Sequence, residues 1–277
     1  MNTESLRQDK TQRLQYIKIA AALILGILML LPIYAMFISS MKPTADVYDL
    51  KLIPETISFE GYEHVLQDNF IRAFINSLFI SSVVTVVALI FHAMAGYTLA
   101  KIDFAGKKYI FMWILSTLMI PFSVIMIPLF IIVKELGWLN TYQGIIIPAI
   151  PHAYGIFLFR QFFFTVPNDL AEAATIDGCS NFGIFTKIYL PLSKSICITL
   201  AVAFFIANWN NYLWPLIVAQ KEEMWVLQVA ISNFTGRNGS RWDSVMAAGV
   251  IAVIPTIVMF FALQKYLVDG IKMSGIK

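Results

Sequence analysis

PNDLAEAATIDGCSNFGIFTKIYLPLSKS, residues 167–195, is the polar segment whose reading decides the rest of the chain. It lies between long apolar runs and has a helical pattern of its own. Asn168 and Asp169 are good helix-starting residues, and Pro167 stands where a helix should begin. Leu170, Ala173, Ala174 and Ile176 follow at helical spacing, and the small Ala173 and Ala174 should leave one face flat. Gly178 falls where a helix of about three turns would stop, because glycine takes φ > 0 at little cost. A second short helix, Phe182 to Ile188, is expected to end at Leu190-Pro191, where the proline forces a break. A short helix with a small-residue face, hung between two membrane spans, suits a groove on another protein.

The surrounding sequence reads as an integral membrane protein. Of 277 residues 58% are hydrophobic and 13% charged. The net charge of +3 offers nothing to a nucleic acid. Cys179 and Cys197 bracket the polar segment and read as unpaired packing residues rather than a disulfide. No cleavable signal peptide is expected, since the first apolar run is too long and lacks a cleavage site.

Six apolar stretches are long enough to be spans at 1.5 Å per residue across roughly 30 Å of hydrocarbon. They are placed at about 17–39, 74–99, 109–133, 144–159, 196–219 and 244–268. The fold expected is all-α, one transmembrane domain over residues 1–277 with a loop at 160–195. The third stretch is broken by Pro121 and Pro128. The fourth holds Pro148, Pro151 and His152, and such a helix should be buried where neighbours satisfy the freed carbonyls.

Charge sets the orientation. With the N-terminus inside, the inner segments hold 13 of the 20 Lys and Arg residues and the outer loops hold 7. Acids run the other way, 7 inside and 10 outside. This bias makes both termini and the 160–195 loop cytoplasmic.

No catalytic or metal-binding set emerges. There is no phosphate-binding loop, so the chain is not expected to bind or hydrolyse ATP, and it is read as no enzyme. His64, His92 and His152 lack metal-ligand spacing, and the latter two read as polar groups facing the bundle interior. In the fifth span Asn208, Asn210, Asn211, Tyr212 and Trp214 crowd together. Three amides in four residues cannot all face lipid. Either they bond between helices or part of the stretch lines a substrate path, where amides and aromatic faces suit sugar hydroxyls and ring C–H groups.

Glu172-Ala173-Ala174, Gly178, Ile188 and Leu190-Pro191 together resemble the EAA loop of ABC importer permeases. Gly178 lies four residues after Ala174, Ile188 ten after Gly178, and Pro191 three after Ile188, as in that pattern. Cys179 and Ser195 depart from it, standing where Ala and a second Pro are common. The stretch Asn208 to Pro215 resembles the WN-x-[FY]-LWP signature of the carbohydrate branch, the maltose-type and multiple-sugar permeases. Leu263-Gln264-Lys265-Tyr266, Gly270 and the Gly275-containing tail resemble that branch's C-terminus.

The resemblance implies a type I importer permease with six spans, in a bacterial cell membrane, moving a sugar, in particular an oligosaccharide. It implies four further subunits: a second related permease, two copies of an ATPase that holds the ATP and Mg, and an extracytoplasmic sugar-binding protein. Glu172, Ala173, Ala174, Asp177, Gly178, Leu190 and Pro191 would couple to the ATPase. Trp225, Asn233, Arg237 and Trp242, in the loop before the last span, would contact the binding protein. A peptide, amino-acid or anion importer of the same loop type is the alternative. An ion-coupled secondary transporter would want carboxylates within the spans, and none of the six contains one.

Overall fold

The computed structural model describes residues 3–49, 51, 53–67, 69–235 and 241–274, with side chains of residues 3–11 and 266–274 left aside. Among these residues there are helices and turns and no strand. In order they are α1 (Thr3–Ser39), α2 (Glu60–Gln67), α3 (Phe70–Lys101), α4 (Lys107–Ser116), α5 (Phe122–Glu135), α6 (Tyr142–Ala149) and α7 (Ala153–Thr165). There follow α8 (Asp169–Ile176), α9 (Asn181–Ile184), α10 (Leu190–Leu192), α11 (Lys194–Trp209), α12 (Leu213–Val218), α13 (Leu227–Asn233) and α14 (Trp242–Ser274).

Three stretches are long and apolar enough to cross a membrane as single helices: Gln12–Ser39, Phe70–Lys101 and Trp242–Lys265. Three bent pairs qualify when each is taken as one span, which brings the count to as many as six. The bends have local causes. Lys107–Met119 and Phe122–Glu135 meet at 103°, where Ile120 is extended before Pro121. Pro128, expected to break the same stretch, lies inside α5 without ending it. The pair α6 and α7 is bent by 42° at Pro151-His152. There α7 continues to Thr165, past the expected end of the fourth span at Phe159.

The chain divides into two compact units, Met1–Asp68 with Asn233–Ile251, and Asn69–Ser232 with Ala252–Lys277. In the first, the buried Asp243 carboxylate accepts from Arg241 Nη2 at 2.8 Å and from Thr44 Oγ1 at 3.1 Å. Gly61 passes so close to the Asp243 carbonyl that a Cβ would sit 2.7 Å from it.

The second unit is built on α3, which has no proline. Small residues on it, Ala88, Ala93, Gly96 and Ala100, let Phe159 and Phe163 of α7 and Leu200 and Phe204 of α11 pack closely. A Cβ on Gly96 would meet the Phe159 Cβ at 2.6 Å. His92 is buried and its Nε2 accepts the His152 backbone N–H at 3.1 Å. Both rings pack on Phe204; His92 lies in the interior as its sequence context suggests, whereas His152, expected there too, is exposed at the Pro151-His152 bend. A second cluster gathers Ile80, Val84, Val133, Ile145, Trp214 and Val218.

Candidate coupling loop and translocation surface

The loop after α7 is held where it leaves the bundle. Val166 is extended, as a residue before proline prefers. Lys101, the last residue of α3, donates from Nζ to the Val166 carbonyl and to Asn168 Oδ1, each at 2.6 Å. Its ammonium also lies 5.5 Å from the centre of the Tyr189 ring. Tyr97, one turn earlier on α3, donates its hydroxyl to the Asn181 carbonyl at 3.3 Å. Arg160 donates Nε to the Leu99 carbonyl at 3.2 Å, with its guanidinium 3.8 Å from the Phe111 ring and 4.3 Å from that of Phe164. Three carbonyls and one amide oxygen thus receive charged or phenolic donors at this end of α3.

Asn168 precedes α8 as expected, and its carbonyl accepts from Ala171 and Glu172 at 2.8 and 3.0 Å. Its side chain makes no capping bond, being turned to Lys101. Asp169 and Glu172 in the first turn suit the positive end of the helix dipole. The helix has eight residues and ends at Ile176. Gly178 follows with φ +79°, and nothing lies within 4 Å of where its Cβ would be. Gly178 is therefore needed for its backbone angle and not for space.

The two alanines of the loop do not share a face. At 100° per residue Ala173 and Ala174 point apart, and Ala174 is buried in the core beside half-buried Ala171 while Ala173 is exposed. Opposite the buried line stand Asp169, Glu172, Ala173 and Ile176, all exposed, Ile176 by 87%. Asp177 and Phe182 are exposed beside them. So α8 is seated on its own bundle by one small residue and presents acids and an isoleucine outward.

Beyond Gly178, Ser180 caps α9 by accepting the Gly183 N–H. The expected break at Leu190-Pro191 lies two residues later. Phe185–Tyr189 form a widened π-helical turn, and Leu190 N–H reaches the Phe185 carbonyl. In that wider turn Pro191, which has no N–H, is accommodated in the first turn of α10. The chain turns instead at buried Ser193, and Asn181–Leu192 meets Lys194–Trp209 at 76°. Leu190 and Pro191 themselves are exposed.

The fifth stretch is not one helix. α11 stops at Trp209 and α12 starts at Leu213, so Asn210, Asn211 and Tyr212 form a break. Asparagine favours such ends because its side chain competes for backbone partners. Asn208 donates to the Phe204 carbonyl of its own helix at 2.8 Å. Asn210 is exposed and accepts from Gln228 Nε2 at 3.3 Å; Tyr212 is exposed and Asn211 half-buried. The two flanking tryptophans fix the break: Trp209 donates to the Ala252 carbonyl at 3.0 Å and Trp214 to the Gly144 carbonyl at 3.1 Å. Both are fully buried. Trp214 is thus a buttress with no ring face free for a ligand, while Asn210, Asn211 and Tyr212 remain open to one.

Of the loop residues before α14, Trp225 and Asn233 are half-buried and Trp242 is 36% exposed. Arg237 lies outside the described residues. Among the described residues no three His, Cys, Asp or Glu side chains are grouped to hold a metal ion. Sequence reading missed Lys101, Tyr97 and Arg160. Their signal is weak, since a basic residue ending an apolar run has an ordinary explanation at the membrane surface.

Residues 92–273 match the family model described as binding-protein-dependent transport system inner membrane component. An arabinooligosaccharide transport permease of Bacillus subtilis is 34% identical, the match covering 92% of this chain and 93% of that one. A trehalose transport permease of Mycobacterium tuberculosis is 35% identical over 90% and 92%. A permease for sn-glycerol-3-phosphate from Brucella abortus is 32% identical over 90% and 93%. Among solved structures, a chain of a bacterial ABC transporter that imports the acidic polysaccharide alginate superposes with TM-score 0.78 and 29% identity. That match covers 91% of this chain and 96% of the other.

Proposed function

The chain belongs to the family of binding-protein-dependent transport system inner membrane components, and from that premise we propose that it is one of two membrane subunits of an ATP-driven sugar importer. An oligosaccharide is the substrate class the arabinooligosaccharide relative supports. The other subunits are a second related permease, two copies of a cytoplasmic ATPase and an extracytoplasmic sugar-binding protein. ATP and Mg sit on the ATPase, and this chain supplies no catalytic group.

The observation that carries the reading is the seating of α8. Its inner side is fixed to the bundle through Ala174 and its entrance through Lys101, while Asp169, Glu172, Ala173 and Ile176 face outward. A rigidly held helix with an unpaired outer face transmits motion, because a partner that moves it must move the bundle. When ATP closes the ATPase pair, the cleft holding α8 shifts, and the bundle rocks from inward-open to outward-open. The binding protein then releases sugar toward Asn208, Asn210, Asn211 and Tyr212. Contact with that protein is assigned to Trp225, Asn233, Arg237 and Trp242.

The test is uptake by the reconstituted complex of a panel of labelled arabino-, gluco- and galacto-oligosaccharides, with hydrolysis followed in parallel. Uptake of at least one, dependent on ATP and on the binding protein, is expected. The glycerol-phosphate relative favours a second reading, a phosphorylated polyol as cargo, so sn-glycerol-3-phosphate belongs in the panel. Its transport to the exclusion of every sugar would replace the first reading with the second.

A further inference from the structure

Helix α3 holds a polar anchor at each end, and the two anchors grip different functional segments. At one end Asn76, buried, donates from Nδ2 to the Glu223 and Trp225 carbonyls at 3.0 and 2.9 Å, and its Oδ1 accepts from the Tyr142 hydroxyl at 2.7 Å. All the hydrogen-bonding capacity of that amide but one lone pair is engaged. The next residue, Ser77, accepts the Leu227 backbone N–H at 2.7 Å. The segment 223–227 leads into the candidate binding-protein loop and has no long helix of its own. At the other end Lys101 and Tyr97 hold the entrance of α8 and the start of α9.

From Asn76 to Lys101 is about 38 Å of unbroken helix at 1.5 Å per residue. Between the anchors α3 is wedged against α7 and α11 by contacts that leave no room for a methyl group at Gly96, so it does not bend independently of the core. A displacement imposed on the 223–227 segment is therefore delivered to the loop at 166–168 through one rigid body.

We propose that Asn76 and Lys101 are positioning residues for coupled transport, and that α3 is the strut through which docking of the loaded binding protein is felt at the ATPase-facing loop. This rests on the transport reading above. Asn76 sets the outer segment on the strut, and Lys101 sets the coupling helix on it.

The test uses the full complex with its binding protein, and reads two ratios that do not depend on how much complex is folded. The first is hydrolysis with loaded binding protein over hydrolysis without it. The second is ATP hydrolysed per sugar imported. Asn76→Leu should lower the first ratio by roughly 2- to 30-fold, the range for residues along a coupling network. Tyr142→Phe, which removes one hydroxyl and leaves the core intact, should lower it in the same direction. Lys101→Met should raise the second ratio several-fold, and Lys101→Arg, which keeps the charge and donors, should restore it. A variant that merely folds less would lower hydrolysis and uptake together and leave both ratios unchanged, which would overturn the proposal. If wild type responds to the binding protein and Tyr142→Phe and Lys101→Met keep its ratios, the strut fails alone. If the wild-type complex itself shows neither stimulation nor uptake, the transport reading fails and the strut with it.

Discussion

Cys179 closes α8 onto Ala174: its backbone N–H reaches the Ala174 carbonyl at 2.9 Å, while the Gly178 N–H reaches the Thr175 carbonyl at 3.0 Å. This is the paired 6→1 and 5→2 pattern of a Schellman end, with Gly178 at φ +79° as its left-handed residue. Cys179 also packs against the cluster that contains Ala174, which supplies the apolar contact usual for that motif. The cysteine that departs from the expected alanine therefore does the alanine's packing.

Because nothing surrounds the Gly178 Cβ position, a substitution there is read through the backbone alone. Gly178→Val should cost about 1–2 kcal/mol from the left-handed φ, loosening α8 on its seat. The expected phenotype is a subunit present in the membrane at normal level but with uptake reduced per ATP hydrolysed. Asn tolerates the same φ, so Gly178→Asn should retain most uptake. Equal uptake by the valine variant and wild type would show that the left-handed turn is dispensable.

Ala173 and Ala174 predict opposite results from the same change. Ala174→Leu forces extra methylenes into the cluster of Phe163, Ile184, Phe185 and Tyr189, costing about 1–3 kcal/mol. Its signature should be a lower midpoint of thermal unfolding for the subunit in detergent. Ala173→Leu adds the same atoms to an exposed position and should leave that midpoint unchanged. By the docking proposal it should still weaken retention of the ATPase. A fall in the midpoint with both variants would mean that α8 is seated differently.

What could be read from the sequence, and what could not, follows the range of the interactions. The helix start at Asn168, its stop at Gly178 and the outward Glu172 depend on neighbours within a few residues, so their spacing is enough. The Lys101–Asn168 contact joins positions 67 apart, and each has an ordinary local explanation, so no pattern in the chain pairs them. The break at Asn210–Tyr212 was legible in principle. Three asparagines beside a tyrosine signal a helix end as readily as a polar lining, but the length of the apolar run favoured one continuous span. The π-helical turn had no signal: Pro191 predicts a break, and only packing of Tyr189 and Phe185 in the core shows how the helix passes it.

Gly96 gives a prediction for the bundle itself. A methyl group there would meet Phe159 Cβ at 2.6 Å and the Arg160 nitrogen at 2.9 Å, and neither atom belongs to a flexible chain end. Gly96→Ala should separate α3 from α7 and destabilise the subunit by about 1–3 kcal/mol. Gly106→Leu, at the turn before α4 where no neighbour lies within 4 Å, tests the opposite case. Its cost should be confined to its positive φ. Reduced yield of folded, monodisperse complex with Gly96→Ala, measured by size-exclusion chromatography, is the expected reading; undiminished yield would contradict the packing described.

The charge bias predicts the orientation, and reporter fusion tests it. A reporter active only in the cytoplasm should be active when joined after Lys194 or Lys277 and silent near Asn238. An active fusion at Asn238 would invert the topology and place α8 on the wrong side for an ATPase.

Glu172 is the sharpest test of the coupling loop. It stands exposed on the outer face of α8, a turn from Ile176 and next to Ala173, where a carboxylate can reach past small neighbours to a basic group on the ATPase. A solvated surface acid contributes roughly 0–1 kcal/mol, and its removal would leave transport near normal. At a buried interface, truncating one member of a charge pair costs about 2–5 kcal/mol, because the other charge is stranded. Such a loss weakens docking by a factor of about 30 or more. Since Glu172 takes no part in the core beneath α8, Glu172→Ala should leave the permease folded while releasing the ATPase on detergent extraction, with uptake lost. Glu172→Gln should recover little, because the amide restores shape without charge, and Glu172→Lys should be at least as damaging as alanine, because it sets like charges together. Co-purification of the ATPase with Glu172→Ala, together with normal sugar uptake, would remove Glu172 as the anchor. The docking surface would then have to rest on Ile176, Phe182 and the other exposed apolar groups of the loop.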